Sequence, residues 1–189
     1  MAERFEKFEY RHTLYLDYLP KNLQHCTLNN FDFQGQIHLI KPIKRFIEGQ
    51  TQGIFFHGGF GVGKSHLLVA LYRIIVAQED DTSDVCYMSF ESALRELQRP
   101  EHEFDVDYLC EVGYLFLDDI TAVDFQSGFT KETLRRIINS RYENEMRTCF
   151  TSNAGTAGLQ EFGLHPHALS RINGMCEIVE VKGRDRRKK

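Results

Sequence analysis

Three absences narrow the class of protein before any motif is considered. The 189-residue chain has no run of roughly 18 consecutive apolar residues, so the sequence predicts no transmembrane helix. Its first residues alternate charged and aromatic side chains, unlike the apolar centre of a signal peptide. Its formal net charge of −4 excludes a globally basic coat for nucleic acid, although a local basic patch is compatible with it. We therefore expect a cytoplasmic protein with no membrane partner.

The five cysteines lack the spacing of a metal or redox motif. No two of them are separated by only two residues, so neither a zinc site nor a thioredoxin-like site is predicted. An odd number also argues against a secreted framework of disulfides. We expect reduced and mostly buried thiols at Cys26, Cys86, Cys110, Cys149 and Cys176.

Short apolar segments alternate with helical patterns along the rest of the chain. A length of 189 residues corresponds to one domain. The alternation predicts an α/β fold with a parallel sheet covered on both faces. The predicted strands are 53–56, 85–90, 112–117, 149–151 and 177–181. The predicted helices are 36–48, which Pro42 is expected to kink or restart, 65–78, 91–99 and 131–145.

A glycine-rich segment between the first strand and the helix 65–78 carries the strongest functional signal. The letters GGFGVGKS fit G-x-x-x-x-G-K-[ST], with Gly58, Gly63, Lys64 and Ser65 at the required positions. Glycines allow the backbone to curl so that its N–H groups point at a phosphate, and the following helix offers its positive end. We predict that Lys64 reaches the β- and γ-phosphates of a nucleotide and that Ser65 binds Mg²⁺.

Two adjacent carboxylates end the third predicted strand. In the letters YLFLDDI, apolar residues lead directly into Asp118 and Asp119. Two buried carboxylates are costly unless a cation or a hydrogen-bond donor meets them, and a strand end beside a phosphate loop supplies both. We predict that Asp118 orients Mg²⁺ and that Asp119 is the general base for the attacking water.

Two weaker signals follow further along the chain. Asn153 ends the strand-like segment FTSN and is a candidate for holding the attacking water. Arg171 lies in HPHALSRI, at the end of a short helical turn. A guanidinium matches the charge that spreads over the γ-phosphate oxygens, so Arg171 is a candidate for completing a neighbour's site.

Taken together, these segments resemble an AAA+ ATPase. The patterns GxxGxGKSHL, four apolar residues followed by DD, TSN and LSRI are similar to those of one branch of that family. The branch holds the bacterial replicative helicase loaders, the initiator DnaA and the transposition helper IstB. The resemblance covers residues 19–187 and implies a P-loop NTPase fold, a three-layer sandwich around a five-stranded parallel sheet of order 5-1-4-3-2. Because only 18 residues follow Arg171, we expect no C-terminal helical lid.

The resemblance also implies roles for individual residues. Asn153 corresponds to sensor 1 and Arg171 to the arginine finger that reaches a neighbouring subunit. Phe31 is expected on the adenine side, and Arg187 ends a G-x-D-x-R pattern typical of the loaders. Many AAA+ enzymes have Glu in place of Asp119, so hydrolysis is expected to be slow. The segment implied to bind ATP or ADP comprises Gly58, Gly59, Phe60, Gly61, Val62, Gly63, Lys64, Ser65 and His66.

Proteins similar to this one carry a helix for single-stranded DNA between the two Walker motifs. Here the corresponding segment is 89–99, which offers Phe90, Arg95 and Arg99. An aromatic side chain and two arginines suit base stacking and phosphate contact. An ordinary surface helix is an equally good interpretation of the same residues.

Function and partners follow from the resemblance rather than from any single motif. It implies Mg²⁺-dependent ATP hydrolysis by a homo-oligomer with ATP at subunit interfaces, acting on a replicative helicase and single-stranded DNA. Residues 1–25 are predicted to form an N-terminal arm that docks a partner, and 26–189 to form the ATPase domain with a basic tail. The alternatives are a transposition helper similar to IstB, a nucleotide-gated interaction module with little hydrolysis, and a small-molecule kinase.

Overall fold

A parallel five-stranded sheet forms the centre of the computed structural model, which describes residues 19–79, 81–99, 104–123 and 125–186. The strands pair in the order β2-β3-β4-β1-β5, and every pairing is parallel. The predicted α/β class and the strand order 5-1-4-3-2 are therefore confirmed. The strands are β1 (Gly53–His57), β2 (Val85–Ser89), β3 (Tyr114–Asp118), β4 (Arg147–Ser152) and β5 (Cys176–Glu180).

Helices cover the sheet, and four of the α-helices in the described residues begin where a polar side chain caps the first turn. The predicted helix 131–145 begins earlier, at Gly128, because the Ser127 hydroxyl accepts the N–H of Thr130. Pro42 restarts a helix as expected, since it lies in the first turn, where no N–H is needed. The helices are α1 (Ile40–Ile47), α2 (Lys64–Gln78), α3 (Phe90–Leu97), α4 (Val106–Glu111), α5 (Gly128–Glu143), α6 (Thr156–Glu161) and α7 (Pro166–Met175), with 3₁₀ turns at Ile37–Leu39 and Thr82–Asp84.

The hydrophobic core lies on both faces of the sheet. Leu115 and Leu117 of β3 belong to one buried cluster, and Phe116 between them belongs to the other. This alternation produces three layers, because successive side chains of a strand point to opposite faces. The five cysteine thiols are free and buried, as predicted. Among the described residues, no helix has the length and apolarity needed to cross a membrane.

The segment that precedes the sheet packs onto the domain. Leu19, Cys26 and Phe31 are buried in the same cluster as α2, and Arg73 of that helix donates to the Gln24 carbonyl. The part 19–25 of the predicted arm is thus in contact with the domain, while residues 1–18 lie outside the described residues. The described residues after β5, 181–186, form no helix.

Candidate nucleotide site

The glycine-rich loop connects β1 to α2 at the edge where the parallel strands end. Gly58 has φ of 148° and Gly63 has φ of 109°, values that side chains disfavour. A Cβ on Gly58 would strike the Val181 carbonyl, and a Cβ on Gly63 would lie 2.7 Å from the Phe31 ring. Both positions therefore require glycine, and the loop keeps the tight curve that a phosphate cradle needs.

The Lys64 ammonium spans the mouth of this loop. Its Nζ donates to the carbonyls of Gly58 at 2.9 Å and Gly59 at 2.7 Å, and to Oδ1 of Asn153 at 2.8 Å. The residue is only 7% exposed, so its charge acts in a weakly screened environment. The structure thus places Asn153 against Lys64 at the mouth of the loop.

Asp118 is held by three hydroxyl groups. Its Oδ1 accepts from Ser65 at 2.9 Å and from Thr151 at 2.5 Å, and its Oδ2 accepts from Tyr87 at 3.1 Å. Burial raises the pKa of this carboxyl, the three hydrogen bonds oppose that shift, and nearby Asp119 adds to it. In nucleotide sites Mg²⁺ is bound by hydroxyl and carboxylate oxygens of the protein together with phosphate oxygens. Ser65 and Asp118 supply such oxygens side by side and therefore fit this ion.

Asp119 turns away from the strand in a left-handed backbone conformation. Its φ is 46°, which a short polar side chain tolerates, and its N–H donates to the Thr151 hydroxyl at 2.7 Å. Its carboxylate accepts from Thr121 at 3.0 Å and from Nδ2 of Asn153 at 3.0 Å. Asn153 therefore links the Lys64 cation to the Asp119 carboxylate in one hydrogen-bonded chain.

The side of the loop expected to hold adenine is formed by the segment before α1 and the segment after β5. Phe31 is 5% exposed and packs under Gly63, with its ring edge-on to His66. His66 also bonds the Thr27 carbonyl at 2.9 Å, which ties this segment to α2. An adjacent cleft of about 510 Å³ is lined by Asp32, Gln34, Gly35, Gln36, Lys182, Gly183, Arg184 and Arg186.

The closing basic segment reaches the glycine-rich loop through Arg186. Its backbone N–H donates to the Gly61 carbonyl at 3.0 Å, and its guanidinium lies 4.5 Å from the centre of the Phe31 ring. The predicted nucleotide contact at Arg187 lies outside the described residues. Of the loop itself, Val62 is buried while Phe60 is 71% exposed at the tip.

Arg171 lies apart from this constellation. It belongs to the ten-residue helix α7 rather than to a short turn, and its Nη2 is 2.7 Å from Glu143. Its guanidinium also lies 5.7 Å from the centre of the Tyr142 ring. Both partners belong to the end of α5, and the Arg171 side chain is 27% exposed.

For the segment expected to contact single-stranded DNA, the prediction for one of the three residues is wrong. Phe90 is fully buried in the core, because it follows the Ser89 cap on the inner face of α3, so no ring face is available for a base. Arg95 is exposed on α3 and pairs with Glu91, and Arg99, exposed just after that helix, pairs with Glu96. Their contact with DNA stays a prediction.

Comparison with known proteins decides the family. The family described as "Bacterial DnaA ATPAse domain" matches residues 34–174. The chain belongs to this family. The replicative helicase loader DnaI of Bacillus subtilis (strain 168) is 28% identical over 144 residues, covering 72% of this chain and 46% of DnaI. The chain thus spans less than half the length of that relative.

Solved structures agree with this assignment. A crystal structure of DnaI superposes with a TM-score of 0.73 at 24% identity, covering 89% of this chain and 94% of the other, and shows the common fold. The replication initiator DnaA bound to AMPPCP and single-stranded DNA is 26% identical, with a TM-score of 0.67, covering 89% of this chain and 52% of DnaA. The chain is therefore an AAA+ P-loop domain of the family that contains DnaA.

Several residues of the site gave no signal in the sequence. Tyr87 and Thr121 lie outside every motif and yet donate to Asp118 and Asp119, and Thr151 lies in the TSN pattern but had no role assigned to it. Thr151 directly precedes the recognised Ser-Asn pair, which is the one local hint. Tyr87 becomes visible only when the register of the sheet places β2 beside β3.

Proposed function

We propose that this protein hydrolyses ATP, with Mg²⁺, and that it loads or remodels a replicative helicase on single-stranded DNA. The observation that carries the proposal is the hydrogen-bonded chain from Lys64 through Asn153 to Asp119, next to the Ser65–Asp118 pair. It joins a cation for phosphate, an amide for positioning water and a base at the carboxyl ends of the parallel strands.

Each residue has a defined part in the reaction of ATP and water to ADP and phosphate. Lys64 binds the β- and γ-phosphate oxygens in place of its present carbonyl partners. Ser65 and Asp118 would hold Mg²⁺, which neutralises charge on those oxygens when bound. Asp119 accepts the proton of the attacking water, and Asn153 orients that water.

The position of Arg171 supports an assembly with the nucleotide between subunits. Among the described residues, its guanidinium pairs with Glu143 and lies over the Tyr142 ring, both of α5, and has no recorded hydrogen bond to Lys64, Asp118, Asp119 or Asn153. In this proposal it reaches the γ-phosphate held by a neighbouring copy, where a planar cation matches the spread charge. ATP would then favour subunit contact, and hydrolysis would release it.

The likeness to DnaI, a replicative helicase loader, and to DnaA, whose structure contains AMPPCP and single-stranded DNA, supports a role in replication. Arg95 and Arg99 supply exposed cations for phosphate contact, with the exposed fractions of their side chains being 58% and 45%. In this proposal the protein is cytoplasmic, the helicase is its protein partner, and the arm 1–25 docks it.

The test is ATP turnover by the purified protein alone, with single-stranded DNA and with duplex DNA, at one stated salt concentration. Stimulation by single strands, lost on Arg95→Gln with Arg99→Gln, is the expected result. Stimulation by duplex alone would replace the loader by a transposition helper. Tight ATP binding without turnover under every condition would instead indicate a nucleotide-gated interaction module.

A further inference from the structure

A second cleft lies between α5 and α7, beside Arg171. It has a volume of about 380 Å³ and opens on the same surface as that arginine. The side chains that line it are polar: two arginines, two histidines, a glutamate and an asparagine. The residues that line it are Glu132, Arg135, Asn139, His165, His167 and Arg171.

Two arginines from different helices meet at this cleft, and each is held by an acid of α5. Nε and Nη2 of Arg135 donate to the Glu132 carboxylate at 2.8 and 2.5 Å, and Arg171 is paired with Glu143. The Arg135 side chain is 42% exposed and that of Glu132 is 61% exposed. Exposed ion pairs contribute little stability, so either guanidinium can leave its acid for a more highly charged ligand.

The remaining groups of the cleft favour a partner surface that covers it. The rings of His165 and His167 stack with their centres 5.3 Å apart at its rim. Oδ1 of Asn139 is buried without a hydrogen-bond partner among the described residues. A buried acceptor without a donor is costly, so a surface that covers this cleft and supplies a donor would relieve that cost.

We propose that Arg135 is a second phosphate ligand that this face presents to the nucleotide of a neighbouring copy of the chain. The inference rests on the proposed function, because Arg171 must be the residue that brings this face to a γ-phosphate. One guanidinium can satisfy two phosphate oxygens, and a triphosphate has further charge for a second cation. Arg135 lies in the same cleft as Arg171, on a different helix.

The next residue along α5 supplies a matched control. Arg136 has the same type and charge, but it pairs with Asp107 of α4 and lines a different groove. Removing its charge changes the net charge of the protein as much as the same change at Arg135. Any difference between the two variants therefore reports the position and not the loss of one positive charge.

The experiment compares Arg135→Gln, Arg136→Gln, Arg135→Lys and Arg171→Ala with the unaltered chain. ATP turnover is measured over a range of protein concentrations, self-association with AMPPCP by sedimentation, and ADP affinity by calorimetry. We expect Arg135→Gln to lower turnover and to raise the protein concentration for half-maximal assembly, each by about tenfold. Arg136→Gln should stay within about twofold, and ADP affinity should not change.

Arg135→Lys distinguishes a phosphate ligand from a supporting residue, since lysine keeps the charge but loses the planar fork. Partial recovery of assembly by this variant supports the proposal. Equal behaviour of Arg135→Gln and Arg136→Gln, with Arg171→Ala inactive, would overturn the role of Arg135 and leave the proposed function intact. Full activity of Arg171→Ala would instead overturn the shared site, and this inference with it.

Discussion

The nucleotide site and the arginine face use cations in opposite ways. Lys64 is 7% exposed and is fixed by three hydrogen bonds to its own loop and to Asn153. The side chains of Arg171 and Arg135 are 27% and 42% exposed, and acids of α5 hold them at the surface. Lys64 stays buried inside its loop and only exchanges its acceptors when phosphate binds, whereas the exposed ion pairs of Arg171 and Arg135 can be broken at little cost.

If two subunits share the site as proposed, this difference indicates which half of it is formed before a nucleotide arrives. The half that binds phosphate lies where parallel strands end, so backbone and buried hydroxyl groups define its geometry before a nucleotide arrives. The half that completes it rests on helices α5 and α7 and must move only its side chains. A rigid binding half with a mobile completing half suits a switch that responds to assembly.

The largest effect is expected when the buried cation of Lys64 is removed. Lys64→Ala should lower the affinity for ATP at least a hundredfold, because the phosphates lose their principal counter-charge and Asn153 loses a donor. Isothermal titration with ATP would measure it. Lys44→Ala is the control, since Lys44 forms an exposed ion pair on α1. Near-normal affinity of Lys64→Ala would refute the site.

A smaller effect is expected when the hydrogen-bonded link between Lys64 and Asp119 is removed. Asn153→Ala leaves Lys64 and Asp119 in place but removes the amide that joins them. Turnover should fall by about 10²-fold while ATP affinity falls less than tenfold, because the amide positions water rather than binding the phosphates. Steady-state turnover with direct binding measurements separates the two. Equal losses in both would assign Asn153 to binding.

Tyr87→Phe tests how firmly the proposed Mg²⁺ ligand Asp118 must be held. It removes one of the three hydroxyl donors to Asp118 and keeps the ring, whose burial raises the pKa of the phenol. The Mg²⁺ concentration for half-maximal ADP binding should rise by about three- to fivefold, because Asp118 is held less firmly. ADP binding without Mg²⁺ is the internal control. An unchanged Mg²⁺ requirement would mean that Ser65 and Thr151 suffice.

The smallest effect concerns stability and follows from burial. Because burial raises the pKa of Asp118, the folded state binds a proton more tightly than the unfolded state. Stability therefore falls as pH rises from the ordinary carboxyl range through the raised pKa. Asp118→Asn should increase Tm at pH 7 by about 2–4 °C and abolish turnover. A decrease in Tm at pH 7 would show that the three hydrogen bonds outweigh desolvation.

Much of the fold was predictable, since short apolar strands alternate with amphipathic helices. The strand order came from the resemblance, because periodicity does not say which strands are neighbours. Phe90 shows how a helix face can be misjudged from types alone. With Ala93, Leu94 and Leu97 it forms the spacing of a core face, and the structure buries it there. The arginine at 95 lies on the other side.

The motif residues of the site were predictable from spacing, but their supports were not. Thr151 donates to Asp118 and accepts from Asp119, and only the pairing of β3 with β4 reveals it. Arg141 gave no signal either. It is fully buried and donates to Thr148 and to four carbonyls, which makes it a structural cation that composition cannot distinguish from a surface arginine.

The central claim is that two subunits share one ATP site, and a mixing experiment tests it most directly. Arg171→Ala has an intact base but no arginine to offer, and Asp119→Asn has the arginine but no base. Each variant alone should be inactive, and the mixture should regain a substantial part of the unaltered turnover. Full activity of Arg171→Ala alone, or no recovery in mixtures whose joint oligomers are verified by sedimentation, would contradict the account.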